Sequence, residues 1–256
     1  MRLEFPAARS DHLTGDPLDG VANLAPAARS PRITDRMVPS IDEVFDLADA
    51  IATLGPVRDG RPLGEQYRSL VLVAGTLAPR PGELVAHRPE WIHLGNPTVV
   101  EFGATEAAVY DRATGLSGSR TRQLKHREPG EFRRVPALDD VTEALREHLE
   151  RGHHSTERTW LSPHGGGHLN WANLRSTYWR PACERVFAGS SKPDLARMPP
   201  KMLRKAAITF WLDAGISPYL ASEWAGHSED VARRYHAGRA SDSYAAEISK
   251  LTERRG

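Results

Sequence analysis

Residues 199 to 227, PPKMLRKAAITFWLDAGISPYLASEWAGH, are punctuated so closely that they leave the backbone little choice. Pro199 and Pro200 suit the opening of a helix, where a missing N–H costs nothing. Leu203, Ala207, Phe210 and Trp211 fall on a common side of it, and Gly215 is placed to end it. Ser217 and Pro218 then form the N-cap and first turn of a shorter helix bearing Leu220 and Trp224, which hands over Gly226 and His227 at its C-terminal end. Eight residues later comes Tyr235, between Arg233, Arg234 and His236.

The rest of the chain is patterned to match. Residues 1–38 are rich in Pro, Ala, Asp and Arg without a helical or strand period, and read as a linker or arm. A first helix is expected from Ser40, with Glu43 completing a capping box and Val44, Leu47, Ala48 and Ile51 facing inward. A second is expected over about 64–78, carrying Tyr67, Leu70, Val71, Ala74 and Leu77 until Pro79 and Pro81 disturb it. Short β-like runs follow at 91–94, 98–102 and 132–138, with the Gly- and Arg-rich GLSGSRTRQLKHREPGE as a separator between the last two. Helical patterns return from Asp139 and again in NWANLRSTYWRPACERVF, with a tight turn at LSPHGGGHL between them. Tyr244, Ile248 and Leu251 stripe a terminal helix over 241–255. The expected fold class is mainly α with a small antiparallel β-sheet.

Composition excludes several functions. The one cysteine, Cys183, allows no intrachain disulfide and fits a reducing, cytoplasmic setting. No stretch approaches the roughly 20 apolar residues that span a bilayer. His153, His154, His164 and His168 raise the question of zinc, but no cysteine or carboxylate stands at ligand spacing among them and three glycines separate two of them; a surface turn is the better expectation. The net charge of +1 is unevenly spread: residues 115–135 and 192–239 hold fourteen basic against seven acidic side chains, leaving twenty against twenty-six elsewhere. A basic face on an acidic body is expected, with Arg120, Arg122, Arg127, Lys205, Arg233 and Arg234 as candidates for contacting DNA phosphates.

A tyrosine of ordinary pKa near 10 is a poor nucleophile unless a base takes its proton or cations stabilise phenolate. The electrophile best matched to clustered guanidinium groups is a phosphodiester, whose non-bridging oxygens stay negative throughout displacement. Candidates for each role are present: Arg80, with Glu83 three residues on to orient it; Lys201 and Arg204, three apart at a helix start; Lys125 in the loop before RRVPAL; and the Gly-His pair ahead of Tyr235.

Taken together and in this order, these segments resemble the catalytic domain of the tyrosine recombinases, the phage integrase family, over residues 38–250. GTLAPRPGELVAHRPEWIHL is similar to the family's first conserved box, LKHREPGEFRRVPALDDVTEALREHL to its β-hairpin lysine region, and the stretch from Pro199 to Gly238 to its second box. The resemblance implies a site-specific DNA recombinase working through a 3′-phosphotyrosyl intermediate, without metal, ATP or other cofactor. It implies that Arg80 and Arg204 hold the scissile phosphate, Lys125 protonates the leaving 5′ oxygen, Lys201 assists proton transfer, His227 hydrogen-bonds the phosphate or the nucleophile, and Tyr235 attacks. Its partner is double-stranded DNA, with four protomers on two synapsed duplexes and a monomer when isolated, in a nucleoid-associated cytoplasmic protein. It also implies an N-terminal core-binding domain, of which residues 1–38 would be the trailing linker and 39–256 the catalytic domain. Three departures stand out: Ala78-Pro79 where the family commonly has Gly-Leu, lysine at 201 where histidine is commoner, and a His227 to Tyr235 interval one residue short. A type IB topoisomerase-like enzyme that relaxes DNA, and a non-catalytic DNA-binding module with the same fold, remain open alternatives.

Overall fold

The computed structural model describes residues 38–110, 117–124, 127, 128 and 130–228. Helix α1 (Ile41–Ala52) begins as expected: the Ser40 hydroxyl accepts from the Glu43 amide, and the Glu43 carboxylate accepts from the Ser40 amide at 2.7 Å. Val44, Leu47, Ala48 and Ile51 are buried along its inner side. After a two-residue hairpin, β1 (Val57–Arg58) and β2 (Arg61–Pro62), the second expected helix starts as a tight 3-10 stretch over Leu63–Tyr67 and continues as α2 (Arg68–Thr76). Every residue from Ser69 to Thr76 is buried. A helix without a wet face must satisfy its polar side chains internally. Thr76 donates to the Leu72 carbonyl at 2.7 Å, and the Ser69 hydroxyl accepts from the Trp160 indole at 3.0 Å.

Beyond the Pro79 and Pro81 break lies the short helix α3 (Pro81–Ala86). Strands β3 (Ile92–His93) and β4 (Val99–Phe102) follow, and β7 (Arg133–Pro136) completes an antiparallel sheet in the order β3-β4-β7, with Val100 opposite Ile92 and Val135. Between them stands a hairpin of β5 (Ala104–Tyr110) and β6 (Ser117–Gln123), where the residue pattern read only a separator and the resemblance implied a hairpin. Residues 118–123 of β6 are all exposed, so no alternation of apolar and polar side chains marks it as a strand.

Helix α4 (Asp139–Glu150) packs on α2. From Trp171 to Phe187 the chain is continuously helical: α5 (Trp171–Asn173), a wider π-wound stretch over Leu174–Trp179, and α6 (Arg180–Phe187). Pro181 accounts for the widening, since it has no N–H for the carbonyl four residues back and its ring crowds that turn. Helices α7 (Met202–Asp213) and α8 (Pro218–Ala225) have the caps their sequence calls for, with Gly215 left-handed after the first and the Ser217 hydroxyl accepting from the Leu220 amide at the start of the second. The core has α1, α4 and α7 gathered around α2. No described helix is long and apolar enough to cross a membrane.

LSPHGGGHL is a tight turn, closed by Leu161 bridging His168 and by the Ser162 amide donating to Gly167 at 2.8 Å. Its histidines go separate ways: His164 lies 3.3 Å from the Tyr178 hydroxyl, and His168 3.3 Å from Glu106. Among the described residues no group of three His, Cys, Asp or Glu is placed to hold a metal. The expected terminal helix over 241–255, and all of the expected arm except Val38, fall outside the described residues; Val38 is buried against the core.

The β5–β6 hairpin is seated by a glycine. A Cβ on Gly82, in the first turn of α3, would stand 2.4 Å from both the Glu106 carbonyl and the Thr105 hydroxyl, so any side chain there must lift the hairpin off α3. Gly82→Ala is expected to lower unfolding free energy by about 1–3 kcal/mol in urea titration, whereas Gly118→Ala, with nothing within 4 Å of its added Cβ, should change it by less than about 0.5 kcal/mol.

Candidate functional site

Two helix ends meet at the site. A helix leaves its last carbonyls without intrahelical donors, and they carry the negative end of its dipole. At the end of α2 these are the carbonyls around Leu77 and Ala78; at the end of α8, those of Trp224, Ala225 and Gly226. Three arginines from different parts of the chain donate to them. Arg204, from the first turn of α7, donates to Ala78 and, at 2.7 Å, to Ala225. Arg133, from β7, donates to Leu77 at 3.3 Å and to Trp224. Arg80, just past α2, reaches Gly226 at 2.5 Å.

The local backbone is shaped for these contacts. Ala78 is left-handed, with φ 52°, which costs a residue with a Cβ roughly 1–2 kcal/mol and turns its carbonyl toward Arg204. A glycine at this position would adopt the conformation without that cost. Gly226 is also left-handed, with φ 65°, and a Cβ there would stand 3.1 Å from the Arg133 side chain and 3.5 Å from Arg80. Glycine before His227 is therefore favoured by both conformation and space.

Behind the arginines sits Glu83, in the first turn of α3 and fully buried. It accepts from the Arg80 amide and the Arg80 guanidinium, both at 2.9 Å, and from Arg133 at 2.5 Å. Burial pushes the Glu83 carboxyl up, but the Arg133 guanidinium, the Arg80 amide and the charges of Arg80 and Arg204 outweigh it and hold the group below the usual carboxylate range. It stays ionised. Arg80 itself is part-exposed, so it can hold Glu83 and still present its edge to solvent.

His227 follows directly and is half-buried. Its Nδ1 lies 3.0 Å from the Ser228 carbonyl, which fixes Nδ1 as the protonated nitrogen of the neutral ring. Burial lowers its pKa; the Ser228 carbonyl opposes this, and repulsion from Arg204 and Arg80 adds to the lowering. Lys201 is exposed one residue before α7 and shares the lining of a small cavity of about 40 Å³ with Arg204, Pro79, Pro81 and Trp179.

The structure thus brings together Arg80, Glu83, Lys201, Arg204 and His227. Lys125, Tyr235, Arg233 and Arg234 lie outside the described residues. Of the other basic candidates, Arg120 and Arg122 are exposed on β6, Lys205 is part-exposed on α7, and Arg127 is engaged with Glu131 and, at 3.7 Å, with Glu223. The expected basic face is smaller than the raw count suggests: Arg133 is buried, and Arg134 pairs with Glu101 at 2.7 Å. Strand alternation carries the missed signal, because period two puts Arg133 on the same inward face as Val135. Arg175 and Arg180, which lie in neither basic segment, and Arg197, which lies in the second, are exposed around an open groove of about 360 Å³ lined by Trp179 and Met198. Trp179 lines the Lys201 cavity as well, so groove and cavity adjoin.

No family model matches the chain, and no curated protein matches it. Solved structures do. An integrase of the Tn1549 transposon, in complex with a circular intermediate DNA, is 15% identical with TM-score 0.60, over 91% of this chain and 69% of that one. The XerH site-specific recombinase bound to its palindromic difH substrate is 18% identical with TM-score 0.52, over 83% and 53%. The XerA recombinase is 15% identical with TM-score 0.50, over 90% and 71%. At these identities the likeness is one of fold: helices around small antiparallel sheets, the architecture of the tyrosine recombinase catalytic domain.

Proposed function

We propose that this chain is an integrase-like, site-specific DNA recombinase that cuts and rejoins strands through a tyrosyl phosphodiester. One observation carries the proposal: Arg80 and Arg204, 124 positions apart, donate to the carbonyls of the consecutive residues Gly226 and Ala225. That places two forked cations side by side next to His227, an arrangement suited to the two non-bridging oxygens of a phosphodiester.

In the mechanism, the Tyr235 hydroxyl attacks phosphorus as the bond to the 5′ oxygen breaks. The phenol proton passes to the neutral His227 ring, whose lone pair is on Nε2 because Nδ1 carries the proton facing Ser228. Lys125 gives a proton to the departing 5′ oxygen, and Lys201 supports proton transfer from the α7 end. The products are a 3′-phosphotyrosyl link and a free 5′ hydroxyl, and reversal on another strand reseals the backbone without ATP. Charge stabilisation comes from guanidinium groups, so no metal ion has a step to perform. Arg120 and Arg122, and the groove rimmed by Arg175, Arg180 and Arg197, extend positive charge away from the centre along a path for the duplex backbone. Productive exchange would take four protomers on two duplexes.

Arg204 stabilises charge in the transition state but supplies only one of many phosphate contacts. Arg204→Ala is therefore expected to slow single-turnover cleavage of a saturating pool of nicked duplexes by about 10²–10³-fold. Its DNA affinity should fall by less than about tenfold, one phosphate contact being lost. Equal losses in both would contradict the assignment.

His227 works here as the neutral ring, and its pKa is depressed. Lowering pH through a depressed pKa converts it to the cation, so cleavage should stay level down through the ordinary histidine value of about 6.5 and decline only below it. An inflection at or above about pH 6.5 that disappears in His227→Gln would contradict a neutral, cation-flanked imidazole.

A further inference from the structure

Arg133 sits beneath the centre rather than in it. Its side chain is 1% exposed, with the Phe102 ring 4.2 Å from the guanidinium, so no phosphate can reach it. Stripping water from a guanidinium is costly, and a buried apolar side chain would fill the same volume at less expense. What the charge gains is three attachments in different parts of the chain: Glu83 at 2.5 Å, the Leu77 carbonyl at the end of α2, and the Trp224 carbonyl at the end of α8. The second oxygen of the same carboxylate holds the Arg80 guanidinium. The two helix ends are those that Arg204 also bridges, one residue further along each.

We infer that Arg133 is a positioning residue for the strand-cutting centre, setting the spacing between Arg80 and the Gly226–His227 turn through Glu83 and the two helix ends. The inference rests on the phosphodiester chemistry proposed above. Lysine cannot substitute, because one ammonium cannot span the carboxylate and two carbonyls that a planar fork meets together. A role in stability alone would leave a folded variant cutting at the normal rate. A role as a phosphate ligand would appear as lost affinity with a shallower salt dependence.

The test compares wild type, Arg133→Lys and the double variant Glu83→Gln/Arg133→Met, using single-turnover cleavage of a saturating pool of nicked duplexes, with DNA affinity measured across a salt series. The double variant removes both buried charges at once, so it is expected to fold even if the single variant does not. Both variants, where folded, should cut about 100-fold more slowly, with affinity within about threefold of wild type and the slope of affinity against salt unchanged. Wild-type cutting rates in either folded variant would overturn the inference. So would a salt slope reduced by about one, the mark of a lost phosphate contact. If wild type itself cuts nothing, the proposed chemistry fails, and deuterium exchange without DNA still decides the role of Arg133. Faster exchange at the Glu83, Gly226 and His227 amides, with α4 unchanged, supports positioning; unchanged exchange at those amides overturns it.

Discussion

Carbonyls left without intrahelical donors at two helix C-termini, and met by the same arginines, are the constraint on which the rest of this site depends. Left alone, the ends of α2 and α8 would repel and would leave acceptors without donors in a partly dry region. Guanidinium groups from α7, from β7 and from the residue after α2 meet them. Each of Arg133 and Arg204 touches both ends, so the arginines fasten the helices together and the helices fix the arginines in place. Two of the three, Arg80 and Arg204, keep access to solvent; the third is enclosed.

Crowding three cations is unfavourable, and Glu83 is the main correction. It is the carboxylate that both Arg80 and Arg133 contact, and it remains ionised despite burial because those cations outweigh the loss of water. One negative charge against three leaves the cluster electropositive, which suits the anionic ester proposed for it. The same field bears on His227, which Arg80 and Arg204 help keep neutral. Ion pairing behind the surface therefore sets the reach of the arginines, while burial first, and their charge second, keeps the ring beside them neutral.

Much of this was legible in the residues. The caps at Ser40 and Ser217, the glycines at 215 and 226 and the proline break after α2 each follow from backbone chemistry that acts within a few residues. The pairing of Arg80 with Glu83 was legible too, being three residues apart at a helix start. What escaped was determined across the chain. β6 has no apolar face because it lies in solvent, so its strand character comes only from pairing with β5. Arg133 looked like one more surface cation in a basic run, and only the arrival of Glu83 and two helix ends makes its burial tolerable. The groove around Arg175, Arg180 and Arg197 joins residues from α5 to α6 with residues preceding α7, a neighbourhood that spacing along the chain does not reveal.

The most direct measurement is the chemical identity of the protein–DNA linkage. Incubating the chain with nicked duplexes, denaturing, digesting and sequencing the nucleotide-bearing peptide by mass spectrometry should yield Tyr235 esterified to a 3′ phosphate, with a 5′ hydroxyl on the released strand. A linkage to any other residue, or one of 5′ polarity, would contradict the account.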